Sequence, residues 1–364
     1  MDRISTITRN DMAHVALGGA FLGTGGGGDP YIGKLMAEQA IAANGPVPVI
    51  DVETLADDAL VVPVAMMGAP TVMLEKLPKG DEAIAALRTL EKVMGRNADA
   101  IFCIEAGGLN STIPIAVAAT AGLPIVDGDG MGRAFPELQM VSMTMFGIHA
   151  CPMAMSDEKG NAIVLNTVDN LSTEKFARVI TVEMGGAGLI ALYPMSGRQA
   201  KDAILRGSLS LIHNIGRIIS GEQAANRNPA DKLAADLQGV RLFEGRVTDV
   251  DRRTEGGFAR GQATIEGLEG YAGQSMILKF QNEFLVAETA EGQPLAITPD
   301  LICLLDLETG QPITTEQMGY GFRVIVFGLP CDPKWREPAG LDLVGPGYFG
   351  YEHTYQPIEE LAGK

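Results

Sequence analysis

Residues 22–30 have the sequence Leu22-Gly23-Thr24-Gly25-Gly26-Gly27-Gly28-Asp29-Pro30, with four consecutive glycines. Glycine loses much conformational entropy on folding, so such a run is typical of backbone that turns at positive φ or closely approaches another group. Successive glycine N–H groups can also form a concave site for an anion or a carbonyl oxygen. Asp29 and Pro30 have the pattern of a helix N-cap and first helical residue. The run therefore predicts a tight loop that leads into a helix.

The same run matches the dinucleotide-binding fingerprint through Gly23, Gly25 and Gly28. That fingerprint requires a strand before the glycines, whereas the preceding residues have a helical pattern. Asp29 would also place negative charge where a pyrophosphate binds. We therefore expect the loop to bind a carboxylate or carbonyl group, or a cation through Asp29, and a ligand-free helix–helix connection is the alternative. The candidate substrate-binding residues of the loop are Gly25, Gly26, Gly27 and Gly28.

Composition excludes several classes of protein. The length of 364 residues is enough for two or three domains, and 46% hydrophobic residues support large cores. A net charge of -17 argues against nucleic acid and anionic membranes as partners. The sequence shows neither a secretory leader nor an apolar run long enough to span a bilayer, and its four cysteines form no Cys-x-x-Cys motif. We expect a cytoplasmic protein that acts on a small molecule and forms a homo-oligomer.

The pattern of elements predicts a multidomain chain of mixed α/β and α+β class. Strands alternate with helices over residues 1–168, which predicts an N-terminal α/β domain with a mostly parallel sheet. Residues 169–364 form the predicted C-terminal domain, with a mostly helical part over 170–240. Over 241–330, short apolar runs separated by turn residues predict an antiparallel barrel or sandwich. The remaining tail is expected to pack back on the N-terminal domain.

A cluster of charged residues follows the predicted strand 123–126. It has the sequence Asp127-Gly-Asp129-Gly-Met-Gly-Arg133-Ala-Phe-Pro-Glu137. Ligands bind at the carboxyl ends of parallel strands, and paired carboxylates suit a divalent cation or acid–base catalysis. Arg133 suits a substrate carboxylate, although turn formation and helix capping would also explain these residues. Asp127, Asp129 and Glu137 are thus candidate catalytic residues, and Asp127 and Asp129 are tentative ligands of zinc, manganese or magnesium.

Two other short motifs are candidate parts of a site. Glu105-Ala-Gly-Gly-Leu-Asn110-Ser111 follows a predicted strand and offers an acid, backbone donors and an amide, although Asn110 or Ser111 could also cap the next helix. His149 and Cys151 would face the same side of a strand, where such a pair can activate a thiolate or bind zinc. A buried pair without chemistry is the alternative. Glu105 and Asn110 are candidate substrate-binding residues, and His149 and Cys151 are candidate catalytic residues.

Taken together, these motifs resemble one known family. The glycine run, the Glu105–Ser111 turn, the Asp127–Glu137 segment and Gly328-Leu-Pro-Cys-Asp-Pro-x-Trp335 are similar to motifs of the S-methyl-thiohydantoin desulfurase family. The resemblance spans nearly the whole chain and implies an N-terminal and a C-terminal family domain. It also implies hydrolysis of a five-membered cyclic ureide or thioureide. Water would attack ring carbon C2, and sulfur would leave as sulfide or methanethiol to give a hydantoin.

Several assignments stay open beside that resemblance. In a hydrolase, a cation on Asp127, Asp129 or Glu137 would lower the pKa of a bound water, and the Gly25–Gly28 amides would stabilise developing negative charge. A nucleotide- or phosphate-binding enzyme is one alternative, although no Gly-Lys-Ser/Thr motif follows the glycines. A non-catalytic binding or assembly subunit is another. The natural substrate and the involvement of a cysteine nucleophile are not fixed by the sequence.

Overall fold

The computed structural model, which describes residues 2–68 and 80–363, contains a ten-stranded sheet and a seven-stranded sheet flanked by helices. The α-helices in these ranges are α1 (Met12–Leu22), α2 (Tyr31–Asn44), α3 (Glu82–Met94), α4 (Ile113–Ala121), α5 (Ser142–Met145), α6 (Asn170–Glu183), α7 (Gly197–Ala203), α8 (Ser208–Ala224), α9 (Ala230–Leu237), α10 (Pro338–Val344) and α11 (Ile358–Leu361). The strands are β1 (Thr6–Ile7), β2 (Val47–Ile50), β3 (Leu60–Gly68), β4 (Ala100–Cys103), β5 (Ile125–Asp129), β6 (Met153–Ser156), β7 (Ala162–Leu165), β8 (Ala187–Ala191), β9 (Met195–Ser196), β10 (Leu205–Arg206), β11 (Val240–Glu255), β12 (Phe258–Gly267), β13 (Ser275–Gln281), β14 (Glu283–Thr289), β15 (Pro294–Ile297), β16 (Leu301–Asp306) and β17 (Arg323–Leu329). None of these helices is both long and apolar enough to cross a membrane.

The first sheet is mixed, with the strand order β1-β2-β5-β4-β3-β8-β6-β7. Strands β2, β5, β4 and β3 run parallel, as expected for an α/β domain, while β8 pairs antiparallel with both β3 and β6. Strand β8 lies in the stretch predicted to be mostly helical. All five of its residues are buried, and its central place in the sheet explains why its sequence is apolar without alternation.

The second sheet confirms the antiparallel β-rich prediction. Its strand order is β15-β14-β13-β12-β11-β17-β16, and every pair is antiparallel. The sheet curls into a half-barrel around its own apolar core. The tail contributes to both cores, because Trp335 belongs to the core of the first sheet and Ile358 to that of the second. The two sheets are therefore joined by the end of the chain.

Helices α1 and α8 cross with their backbones in contact. A Cβ on Gly18 of α1 would lie 1.8 Å from the carbonyl oxygen of Ile212, and one on Gly216 of α8 would lie 1.9 Å from that of His14. No side chain fits at such distances, so the two glycines set the close approach. The crossing anchors α1, whose C-terminal end leads directly into the glycine run.

This crossing predicts opposite effects for two glycine substitutions in one helix. Gly216→Ala should lower the free energy of unfolding by about 1–3 kcal/mol, because the new methyl group must push α1 away. Gly221→Ala is the matched control, since a Cβ there meets nothing within 4 Å. It should leave stability unchanged or raise it by about 0.5–1 kcal/mol through helix propensity. Urea denaturation of both variants measures the difference, and equal effects would contradict the packing described.

Candidate functional site

A cavity lies where the parallel strands of the first sheet meet the second sheet. Met66–Gly68 end β3, Glu105 follows β4 and Met131 follows β5, so these residues line the cavity from the carboxyl ends of adjacent parallel strands. That position is where α/β sheets usually bind ligands. Asn282, between β13 and β14, and Glu283, the first residue of β14, line it from the second sheet. The other lining residues are Gly27, Ala65, Ile104, Asn110, Phe135, Pro136, Glu137, Leu138, Arg178 and Ile190.

Glu105 is a buried carboxyl group held by an amide. Its side chain is 5% exposed, and Asn110 Nδ2 donates a hydrogen bond to its Oε1 at 2.7 Å. Asn110 is itself fixed, because its Oδ1 accepts a hydrogen bond from the backbone N–H of Met66 at 2.7 Å. Burial raises the pKa of Glu105 to about 8, and the nearby Asp129 charge adds to this shift. Glu105 therefore exchanges its proton in a pH range useful for catalysis.

Glu283 is a second buried carboxyl group at the same cavity. It is 3% exposed, and its Oε2 is buried without a hydrogen-bond partner in the described part of the chain. Burial raises its pKa well above the ordinary value; the charge of Glu105 raises it further, whereas Arg133 opposes the shift. A buried polar atom without a partner costs folding free energy. Such a group in a cavity is a candidate for function.

The glycine run packs between these two carboxyl-bearing segments. A Cβ on Gly26 would lie 2.0 Å from Oε1 of Glu283, and one on Gly27 would lie 3.0 Å from backbone atoms of Gly107. Gly25 and Gly27 also have positive φ angles of 85° and 72°. Only glycine accommodates both the space and the conformation at Gly25 and Gly27. The run therefore allows the turn after β4 and the β13–β14 turn to approach each other.

The carbonyl groups of the run hold the same segments by hydrogen bonds. Thr24 O accepts from Phe284 N at 2.7 Å, and Gly27 O accepts from Leu109 N at 2.8 Å. Four glycines were predicted to bind substrate. Gly25 and Gly26 pack against side chains at the start of β14, and in the described structure only Gly27 of the four lines the cavity. Helix α2 begins after this run, and Asp29 Oδ1 accepts a hydrogen bond from the N–H of Tyr31 at 2.9 Å. Pro30 is its N-cap, so the helix begins one residue later than predicted.

Arg133 is a fully buried tie between the two sheets. Its Nη2 donates to Thr24 Oγ1 at 2.8 Å and to Phe284 O at 2.9 Å. Its Nη1 donates to Asp300 O at 2.8 Å, and its Nε donates to Ala134 O at 3.0 Å. Burial lowers the pKa of Arg133 to about 10, opposed by the charge of Glu283. The residue predicted to bind a substrate carboxylate thus has its guanidinium nitrogens occupied by this chain.

Asp129 positions the turn that carries Glu105. It lies within β5 rather than in a turn after it, and its carboxylate accepts hydrogen bonds from Ala106 N and Gly132 N, both at 2.7 Å. Ser208 Oγ, at the start of α8, donates a third at 2.6 Å. Burial raises the pKa of Asp129 to about 6, against the effect of these hydrogen bonds. Asp129 is not among the residues that line the cavity.

Asp127 and Glu137 lie in different surroundings. Asp127 also belongs to β5, and it accepts hydrogen bonds from Ser210 N at 3.0 Å and Ser210 Oγ at 2.7 Å. Glu137 lines the cavity and accepts a hydrogen bond from Tyr348 Oη at 2.7 Å. The sequence candidates that the structure brings to the cavity are Gly27, Glu105, Asn110 and Glu137.

His149 and Cys151 do not share a strand face, contrary to the expectation from their spacing. The neighbouring strand β6 begins only at Met153. His149 is exposed, whereas Cys151 is half-buried, with its Sγ 3.4 Å from Oγ1 of both Thr167 and Thr173. The spacing rule fails here because it holds only for residues within one strand. Neither residue is among those lining the cavity.

Sequence analysis missed Glu283 and Arg178. Arg178 of α6 donates from Nε to Glu174 Oε1 at 2.7 Å and from Nη2 to Pro136 O at 3.1 Å. Its guanidinium carbon lies 4.6 Å from the centre of the Phe258 ring. An acid at the start of an apolar strand, directly after the turn residue Asn282, was the available signal for Glu283. Acids beside a turn are usually exposed, so its burial becomes visible only when the two sheets are brought together.

Comparisons with known family models match the chain in two consecutive parts. A model of the S-Me-THD-like N-terminal domain matches residues 10–167, and one of the S-Me-THD-like C-terminal domain matches residues 168–358. The chain belongs to the S-Me-THD-like family. This membership confirms the resemblance to S-methyl-thiohydantoin desulfurases. In this S-Me-THD-like protein, the cavity takes Glu105 from the N-terminal family domain and Glu283 from the C-terminal one.

One solved structure supports the same architecture. The S-Me-THD-like chain is similar to a crystal structure of a protein from Chromobacterium violaceum, with 26% sequence identity and a TM-score of 0.78. The match covers 98% of this chain and 100% of that one. None of the curated proteins matches the chain.

The burial of Glu105 predicts a pH dependence of stability. Because folding raises its pKa from about 4.5 to about 8, the folded chain retains a proton that the unfolded chain releases. The contribution of neutral Glu105 is complete below about pH 4.5 and is lost as the pH rises toward 8. Glu105→Gln should therefore reduce the fall in unfolding free energy between mildly acidic pH and pH 8 by about 1–3 kcal/mol.

Urea unfolding at several pH values measures this effect. The exposed Glu291 provides the control, since Glu291→Gln should retain the fall seen in the unmodified chain. An identical pH dependence in Glu105→Gln and Glu291→Gln would show that Glu105 does not stay protonated in the folded state.

Proposed function

We propose that this S-Me-THD-like protein hydrolyses small cyclic ureides or thioureides, with an S-methyl-thiohydantoin as the substrate type. The observation that carries the proposal is that buried carboxyl groups from both family domains, Glu105 and Glu283, line one cavity. A ring with N–H and C=O groups offers both donors and acceptors to such carboxyls. Apolar side chains of Met66, Ile104 and Met131 line the same cavity and suit a methylthio substituent.

The proposed reaction replaces sulfur by oxygen at ring carbon C2. Water attacks C2, so that a C–O bond forms and the C2=N bond becomes a single bond. One proton of the water passes to the ring nitrogen. The C2–S bond then breaks, the second proton passes to sulfur, and methanethiol leaves. The product carries a carbonyl at C2, as in a hydantoin, and no oxidant or reductant is consumed.

A pair of carboxyl groups can carry both proton transfers. Two nearby carboxylates resist simultaneous ionisation, so the pair holds one proton over a wide pH range. Glu283 suits the general acid because its pKa is raised well above the ordinary value. Glu105, with a pKa of about 8, suits the general base that accepts a proton from water. The tentative metal ligands Asp127 and Asp129 take no part in this step.

The charges around the cavity do not favour the nucleotide alternative. Three carboxyl-bearing residues line it in the described part of the chain, Glu105, Glu137 and Glu283. The lining cation Arg178 is paired with Glu174 at 2.6 Å. With Arg178 already paired, the described lining residues offer a phosphate no free positive charge, and a neutral ring needs none. The cavity chemistry therefore supports a small uncharged substrate.

The proposal predicts that each carboxyl group is required for turnover. Glu283→Gln and Glu105→Gln keep the side-chain shape but remove the acid or base, so each should lower kcat by roughly 10²–10⁴-fold. Methanethiol released from an S-methyl-thiohydantoin, detected with a thiol reagent, measures the rate. The exposed Glu291→Gln variant should retain full activity.

The pH profile separates the roles of the two groups. In the unmodified chain, kcat/KM should rise with pH, with the midpoint of the rise near the Glu105 pKa of about 8, because the base must be ionised. The residual activity of Glu105→Gln should lack this rise. Wild-type rates in either carboxyl variant, or no methanethiol release by the unmodified chain at any pH, would overturn the proposed function.

A further inference from the structure

The glycine-mediated crossing of α1 and α8 brings together two histidines and an aspartate. His213 of α8 has its Nε2 3.0 Å from Oδ1 of Asp11, the residue before α1. The rings of His14 and His213 meet edge to face, with centroids 5.5 Å apart. One ligand atom from each of the three residues lies within 4.8 Å of the other two. Asp11, His14 and His213 are called the helix-crossing cluster below.

One atom of the helix-crossing cluster has no partner among residues 2–68 and 80–363. His14 Nδ1 is buried and makes no hydrogen bond to any of them. A buried polar atom of this kind normally finds a partner, so its position calls for an external one. A ring nitrogen left free in this way is available as a metal ligand.

We propose that Asp11, His14 and His213 bind a divalent transition-metal ion of the Zn²⁺ type. Two imidazole nitrogens and one carboxylate oxygen are the donor set that zinc, cobalt and nickel accept. The Asp-x-x-His spacing puts Asp11 and His14 on one side of α1, as in metal sites between facing helices. The Asp11 and His213 side chains are 24% and 11% exposed, so solvent can deliver the ion and supply a water as a further ligand.

The ion would cross-link two helices away from the cavity. None of the three residues lines the cavity, so this site is independent of the proposed hydrolysis. Helix α1 ends at Leu22, where the glycine run begins. A bound ion would fix the opposite end of that helix. Binding to the folded chain alone raises its stability by mass action.

A purely hydrogen-bonded cluster is the competing explanation. Asp11 already accepts hydrogen bonds from Thr8 N at 2.8 Å and shares one with His213. Those contacts would exist without metal, and Asp11 and His213 alone would then form the cluster. His14 distinguishes the two explanations, because its Nδ1 takes part in no hydrogen bond with the described residues. Removal of His14 should weaken metal binding if the cluster is a metal site, and it should have little effect on a hydrogen-bonded pair of Asp11 and His213.

The test uses the full chain, stripped of metal with a chelator. Titration with Co²⁺, followed by its visible absorption, reports the ligand set, and calorimetric titration with Zn²⁺ gives stoichiometry and affinity. We expect one ion per chain and a higher midpoint of thermal unfolding with Zn²⁺. His14→Gln and His213→Gln should each weaken Zn²⁺ binding by more than about tenfold.

A second histidine–carboxylate pair provides the matched control. His353 Nε2 lies 2.7 Å from Glu288 Oε2, but this pair is not part of any three-residue metal-ligating group in the described chain. His353→Gln should keep the Zn²⁺ affinity unchanged. If His213→Gln fails to fold, His14→Gln carries the test alone. No stoichiometric uptake, or Zn²⁺ binding by His14→Gln as tight as by the unmodified chain, would overturn the proposal.

Discussion

The cavity depends on the glycine run, whose residues have no side chains and can therefore pack closely against neighbouring segments. Gly26 leaves room for the carboxyl group of Glu283, and Gly27 lies against Gly107 in the turn after Glu105. A Cβ on Gly26 would overlap the carboxyl group of Glu283 in the second sheet, and one on Gly27 would crowd the backbone of Gly107. The loss of conformational entropy in ordering several glycines is offset by backbone hydrogen bonds and by the buried Arg133 tie. The meeting of the two family domains follows from that packing.

The meeting of the domains keeps two acids out of water. Burial of Glu105 and Glu283 raises their pKa values, and Glu283 Oε2 accepts no compensating hydrogen bond from the residues that the structure describes. Stability alone would favour an apolar residue or an amide at such a place. Retaining an unfavourable group in a cavity is typical of sites where chemistry needs a proton donor or acceptor. The two buried carboxyl groups thus lower the stability of the fold at the position where the proposed reaction takes place.

Local sequence patterns predict the elements better than the places where they meet. The helical periodicity before the glycines and the short antiparallel strands are local properties, so both are recovered in the structure. The Asp-Gly-Asp-Gly sequence favours a turn, yet Asp127 and Asp129 lie within β5. Hydroxyl groups of Ser208 and Ser210 in α8 satisfy both carboxylates there. No local pattern contains that information, because α8 is far along the chain.

In the candidate site, too, local patterns predict some residues, whereas others depend on tertiary contacts. Glu105 and Asn110 follow a strand, and the rule that ligands bind at the carboxyl ends of parallel strands places them correctly at the cavity. Arg133 has the residue type of a carboxylate clamp, but three segments of the chain surround its guanidinium. Glu283 owes its burial to the glycine run of the other domain. The place of Glu283 at the cavity therefore depends on tertiary packing, which no local sequence pattern indicates.

The central claim is that Glu283 stays protonated in the folded protein near neutral pH, although free glutamate is ionised there. Difference infrared spectroscopy of the unmodified chain against Glu283→Gln tests it directly, since a protonated carboxyl group has a separate C=O stretching band. A protonated Glu283 gives such a band in the unmodified chain near neutral pH, and the band is lost in Glu283→Gln. Identical carboxyl spectra for the two proteins would show instead that Glu283 is an ordinary ionised carboxylate.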